Sequence, residues 1–145
     1  MAIINWATAK YEGLGKEGKG HVSTESGALK DQPYGFNTRF EDKVGTNPEE
    51  QIAAAHASCF TMALSFGLAE QGFKKGTLAS KAQITLVKEG DGFIITKSEI
   101  TLDAKVPGMN GQDFEKAAVV AKLNCPISKL LNCDVTLDIT SFEGN

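Results

Sequence analysis

Asn47-Pro-Glu-Glu-Gln-Ile-Ala-Ala-Ala-His-Ala-Ser-Cys-Phe-Thr-Met-Ala-Leu-Ser-Phe-Gly-Leu-Ala69 is a helix start signal followed by a long run of helix formers. Asn47 can cap, Pro48 suits the first helical position, and Glu50 stands where a capping-box carboxylate reaches back to the cap amide. Glu49 is left without a capping role. From Ile52 to Ala69 the run is apolar or small on every side and carries no charge, so the helix requires cover from all directions and Cys59 at its centre is shielded. His56, Ser58, Thr61, Ser65 and Gly67 dilute the run below what a membrane span of roughly 20 predominantly apolar residues demands. A core helix is therefore expected.

Taken residue by residue, Cys59 and His56 both have plain readings, a small core residue and a core histidine with one satisfied nitrogen. They stand three apart on one helical face, a spacing compatible with a metal, but two ligands without a second pair make a weak zinc signal.

Working outward, Ile3–Tyr11 reads as a strand and Gly13, Gly15, Gly18 and Gly20 as a loop that lacks the Gly-Lys-Ser/Thr ending of a phosphate cradle. His21–Thr24 and Ala28–Lys30 read as short extended pieces around a Ser26-Gly27 turn, with His21 on a strand surface. Residues Asp31–Gly45 read as a connector whose aromatics, Tyr34, Phe36 and Phe40, need cover, and Arg39 between Thr38 and Phe40 is a cation suited to lie on a ring. After the helix, Leu78–Lys88 and Phe93–Asp103 alternate as a long hairpin turning at Gly90-Asp91-Gly92. Gly111–Lys122 follows as a helix with Phe114, Ala117, Ala118 and Ala121 on one stripe, and Val135, Leu137 and Ile139 alternate as a last strand. Between them Cys125 precedes Pro126 like the cap of a short helix, where free N–H groups favour a thiolate. By local physics alone Cys125 is the more acidic thiol. Cys133, just before the last strand, has no evident redox role.

At 145 residues the chain suits one domain, residues 1–145. Its net charge of −3 and scattered 15 lysines and arginines exclude a nucleic-acid surface. The start, Met1-Ala-Ile-Ile-Asn-Trp6, lacks the basic and apolar regions of a signal peptide, so a cytoplasmic location is expected. Three cysteines without framework spacing fit reduced thiols, with any disulfide transient.

The order of three strands, a long buried helix, two strands, helical pieces and a final strand resembles the osmotically inducible protein C and organic hydroperoxide resistance family. The resemblance runs from about Gly18 to Ser141 and is carried by Val22-Ser-Thr-Glu-Ser-Gly27, Pro33-Tyr-Gly-Phe-Asn-Thr-Arg-Phe40, Gly45-Thr-Asn-Pro-Glu-Glu50, Ala54-Ala-His-Ala-Ser-Cys-Phe60 and Cys125-Pro-Ile-Ser128. The position of Arg39 looks more like the osmotically inducible branch. The resemblance implies an α+β fold of order β(3)-α-β(2)-α(2)-β, an intertwined homodimer whose long central helices pack against mixed sheets. It also implies a thiol peroxidase without metal, haem or other cofactor, acting on hydroperoxides in the cytoplasm and recharged by a dithiol, with no nucleic-acid or membrane partner.

Residue by residue, the resemblance makes Cys59 the peroxidatic cysteine and Cys125 the resolving one, overruling the local preference for Cys125. Arg39 then holds the Cys59 thiolate and polarises the departing oxygen, and Glu49 fixes the guanidinium. Cys133 matches no functional position of the family. Tyr34, Phe36 and Phe60 are candidates for an apolar entrance. The competing readings are a thiol sensor or small-molecule-binding stress protein without turnover, and a purely structural dimer module that has no use for Arg39 or Glu49. Glu49 and Cys59 lie ten residues apart on one helix, about 15 Å at 1.5 Å per residue, so a shared pocket requires a bent helix or a glutamate from a second subunit.

Overall fold

The apolar run forms one continuous helix, Pro48–Glu70, in a computed structural model that describes residues 1–145. In chain order the elements are β1 (Ala7–Glu12), β2 (Lys19–Thr24), β3 (Gln32–Tyr34), α1 (Phe36–Phe40), α2 (Pro48–Glu70), β4 (Thr77–Glu89), β5 (Gly92–Lys105), α3 (Gly111–Asn124), α4 (Pro126–Leu130) and β6 (Asp134–Glu143). This is the expected α+β order with one added helical turn, α1. The chain divides into two units, Met1–Pro48 and Glu49–Asn145, each with its own three-stranded sheet.

In the first unit β2 is central and antiparallel to both neighbours, with His21 opposite Lys10 on β1 and Pro33 on β3. Gly20 is buried where a Cβ would lie 2.6 Å from the Tyr34 ring, so only glycine lets β2 pass this close to it. The extended piece expected at Ala28–Lys30 is instead part of a loop. Thr24 accepts the Leu29 N–H on its side chain at 3.0 Å and donates its own N–H to the Leu29 carbonyl at 2.9 Å, and Asp31 turns through a positive φ of 46°. The strand comes later, at Gln32–Tyr34, where Pro33 obscured it. A proline lacks a ladder donor and is tolerated here because β3 is an edge. The expected connector Asp31–Gly45 also holds α1, whose first turn is closed by the Thr38 hydroxyl accepting the Gly35 N–H at 2.8 Å. Its aromatics cover one another and carry cations. Tyr11 meets Tyr34 edge-on with centroids 5.9 Å apart, Phe36 meets Phe40 at 5.0 Å, and Lys16 stands 4.8 Å over Phe36.

In the second unit β4 and β5 form the long hairpin, and β6 lies parallel to β5 with Ser98 beside Val135 and Ile100 beside Leu137. Parallel neighbours need a crossover, which α3 and α4 supply. The period of two on β5 sends Ser98, Ile100, Leu102 and Ala104 inward, where they meet Phe60, Leu64 and Leu68 of α2 and Phe114, Ala118 and Ala121 of α3. Fully burying side chains such as Phe60, Leu64 and Phe114 contributes about 1.5–3 kcal/mol each. Asn110 caps α3 by accepting the Asp113 N–H at 2.9 Å, and Phe114 stacks on Phe142 of β6 with centroids 4.3 Å apart.

By length and composition α2 is apolar enough to cross a membrane. Its buried residues, His56, Phe60, Leu64 and Leu68, nevertheless recur at every fourth position and form one stripe into the core. Two polar clamps add to that docking. Thr61 Oγ1 lies 2.6 Å from Ser80 Oγ on β4 and donates to the Ala57 carbonyl at 2.7 Å, while His56 reaches Ser98 on β5. The opposite face is uncovered within the chain, with Met62 58% and Phe66 64% exposed.

Candidate active site

Helical geometry places His56, Cys59 and Phe60 on neighbouring positions of α2, one turn deep in the apolar run. Phe60 goes fully into the core and Cys59, at its margin, stays half-buried. The other half of the site comes from the end of the crossover. Backbone hydrogen bonds from the Cys125 N–H to the Ala121 carbonyl, 2.9 Å, and from the Lys129 N–H to the Cys125 carbonyl, 3.1 Å, carry the chain from α3 directly into α4. Pro126 occupies the first position of α4, so Ile127 carries that helix's first available N–H.

That N–H donates to the sulfur of Cys59, and the fully buried thiol of Cys125 hydrogen-bonds with it. The Cys59 thiol is pushed above the ordinary thiol range, first by burial and then by the hydrogen bond and charge of Cys125, with the Ile127 N–H pulling the other way. The local reading of the sequence is corrected here. The Cys125 side chain makes no capping bond, and the helix-start amide it was expected to exploit serves Cys59 instead.

His56 is fully buried, and both its nitrogens are occupied: Nδ1 lies 2.7 Å from Ser98 Oγ and Nε2 2.7 Å from Ser128 Oγ. The sequence had allowed it one satisfied nitrogen. Burial lowers its pKa, so the ring is neutral at pH 7. A neutral imidazole offers one donor and one acceptor, and hydroxyls fill either complement. With both nitrogens so engaged, His56 presents no lone pair toward Cys59. No group of three or more His, Cys, Asp or Glu side chains comes together to hold a metal.

Cys133 stands at the entry to β6, half-buried, its thiol raised by burial and by the charge of Asp134 and partly offset by the Ser98 N–H. Glu49 is half-buried at the start of α2, and the unbroken helix carries it about 15 Å along the axis from Cys59. Arg39 belongs to the first unit. It is exposed on α1 with its guanidinium 5.5 Å from the Phe40 ring centroid, and it lines a cavity of about 270 Å³ with Tyr11, Lys16, Tyr34, Phe36 and Phe40. Of the four residues singled out in the sequence, the fold of one unit brings Cys59 and Cys125 together. Sequence reasoning gave no role to Ile127, Ser128 or Ser98. A signal for Ile127 was present, since a proline at the first helical position makes the next amide the first donor.

The OsmC-like protein family model matches residues 40–140, a span that includes all three cysteines. The chain belongs to the OsmC-like family. It is 49% identical to peroxiredoxin OsmC of Escherichia coli strain K12, covering 95% of this chain and 96% of that one. It is 31% identical to the organic hydroperoxide resistance protein OhrB of Bacillus subtilis strain 168, covering 91% and 96%. The crystal structure of OhrB superposes with a TM-score of 0.71 at 29% identity over 95% of this chain and 98% of that one.

Proposed function

We propose that this OsmC-like chain is a cysteine-based thiol peroxidase that reduces organic hydroperoxides, and hydrogen peroxide, in oxidative and osmotic stress defence. The observation that carries the reading is the Cys125 thiol held against Cys59 while the Ile127 N–H points at the Cys59 sulfur. The names of the relatives, peroxiredoxin and organic hydroperoxide resistance protein, support the same chemistry.

The Cys59 thiolate attacks one peroxide oxygen, the O–O bond breaks, and the alkoxide leaves as an alcohol after taking a proton. Cys59 becomes a sulfenic acid. The Cys125 sulfur then attacks the Cys59 sulfur, the S–O bond breaks, and the Cys125 thiol proton leaves with the hydroxyl as water. A dithiol reduces the resulting Cys59–Cys125 disulfide, and no cofactor takes part. Arg39 supplies positive charge to the thiolate and the departing oxygen, and Glu49 orients the guanidinium. The aromatic cavity lined by Arg39 suits the organic part of a hydroperoxide, with an apolar wall and a cation at one edge.

The working form is a cytoplasmic homodimer in which each chain, residues 1–145, is one domain. The uncovered apolar face of α2, with Met62 and Phe66, continues from Phe66 onto Val120 of α3. A second copy of the chain is its partner. Gly67 lies on α2 where a Cβ would meet nothing within 4 Å, so the chain's own packing does not require glycine there, and glycine inside a helix costs about 1 kcal/mol against alanine. Close approach of a partner helix accounts for it.

The test is consumption of an organic hydroperoxide coupled to a panel of dithiols. An enzyme consumes many equivalents per chain. Arrest after one equivalent with every dithiol identifies a sensor and overturns the proposal.

A further inference from the structure

Helix α4 and its N-cap carry both groups seen acting on Cys59, Ile127 and Cys125, yet the helix is only five residues long, and its last side chains, Lys129 and Leu130, are exposed. A single turn of helix does not hold its own place, so its orientation depends on tertiary attachments. Ile127 packs against the core and Cys125 is buried in it. Besides the Cys125 thiol at its head, a side-chain hydrogen bond anchors α4 by joining Ser128 Oγ and His56 Nε2 on α2, at 2.7 Å, and the other nitrogen of the same ring is fixed to Ser98 on β5 at 2.7 Å. The ring is completely buried and its bond to Ser98 is sealed from water, while the Ser128 end of the chain is half-buried. His56 stands one turn before Cys59, and Ser128 stands directly after Ile127 and three residues after Cys125.

We propose that the chain Ser98–His56–Ser128 is a positioning device that fixes α4 on α2, so that the Ile127 N–H and the Cys125 thiol both stay aimed at Cys59. The proposal rests on the assignment of Cys59 and Cys125 as the reacting pair. Its consequence is kinetic. Once Cys59 is a sulfenic acid, water leaves and the S–S bond forms only if Cys125 is already in reach, and otherwise a second peroxide oxidises Cys59 to the sulfinic acid. His56 and Ser128 thus decide how the sulfenic acid is partitioned, without touching the peroxide.

Ser128→Ala removes the hydroxyl with little change of shape. After addition of several equivalents of cumene hydroperoxide, the Ser128→Ala disulfide should form at least about tenfold more slowly than that of the parent chain, as for other small misplacements of reacting groups. Sulfinic Cys59 should appear in its place, and Ser128→Thr should restore the disulfide. In a Cys125→Ser, Cys133→Ser background, Ser128→Ala should also move the ultraviolet thiolate titration of Cys59 upward, because the Ile127 N–H is no longer held on the sulfur. His56→Gln serves as the second variant and should behave like Ser128→Ala. If the parent chain forms its Cys59–Cys125 disulfide and both variants match it in rate and in thiolate titration, the positioning role is overturned alone. If the parent chain forms no such disulfide, the cysteine assignment falls and the proposal falls with it.

Discussion

The thiols of Cys59 on α2 and Cys125 at the head of α4 share a hydrogen bond although 66 residues of sequence, a hairpin and a helix separate them. Contact before any oxidation means that the disulfide requires little rearrangement. One equivalent of an organic hydroperoxide should therefore yield a dominant Cys59–Cys125 link in peptide mass mapping. With Cys125→Ser the first equivalent should still be consumed, leaving Cys59 as sulfenic acid, and further equivalents should carry it to the sulfinic acid. Cys133→Ser should change neither rate nor product, and a major link through Cys133 would displace Cys125 as the resolving thiol.

The raised pKa of Cys59 has a sign that can be measured. Less of the sulfur is thiolate at neutral pH than in a free cysteine, so the first peroxide step should accelerate as pH rises through the Cys59 pKa. Cys125→Ala removes two of the causes that raise it and should bring the inflection to lower pH. Arg39→Ala, which withdraws the proposed cation, should move it higher. Alkylation of Cys59 with iodoacetamide across pH reads both shifts, and an inflection indifferent to Arg39 counts against its role at the thiolate.

The polar residues should differ in sensitivity. Arg39→Ala should lower peroxidase turnover about 10²-fold to 10³-fold, the usual range for loss of a group that stabilises transition-state charge. Glu49→Ala should cost less, since it acts through the guanidinium. Glu50→Ala should leave turnover largely intact and cost about 1 kcal/mol of stability through the helix start. Turnover abolished by Glu50→Ala and spared by Glu49→Ala would reverse these two assignments.

His56 links stability to pH. Its folded pKa lies below the unfolded value of about 6.5, so between the two the unfolded chain binds a proton that the buried ring does not. This contribution to stability is fully present above about pH 6.5 and is lost progressively as pH falls below it. Urea unfolding at a series of pH values should show the decline, and His56→Gln should flatten it. An unchanged slope in His56→Gln would assign the decline to other groups.

The uncovered face of α2 predicts an assembly. Sedimentation at micromolar concentration should give the mass of two chains, and Phe66→Asp or Met62→Asp should give one. Gly67→Leu should also weaken the dimer by keeping two helices apart. A parent chain that sediments as a monomer refutes the second copy as the occupant of this face.

Local chemistry in the sequence determined the long helix with its Asn47-Pro48 start, the hairpin turning at Gly90-Asp91-Gly92, the short helix starting at Cys125-Pro126 and the alternation of the last strand, because each depends on residues within a turn or two of one another. Motifs spread over most of the chain determined the family, and with it the two cysteines. Tertiary structure alone decided which sulfur the Ile127 N–H serves, because a helix start donates to whatever packs against it, and the packing partner lies on α2. It also decided that His56 is held at both nitrogens, by serines 42 and 72 residues away. No periodicity records such a pairing. The short strand β3 and the turn α1 were hidden for a related reason: an edge strand carrying Pro33 and a five-residue helix are too weak in local preference to announce themselves, and they form because the ladder to β2 and the Tyr11, Tyr34, Phe36 and Phe40 contacts hold them.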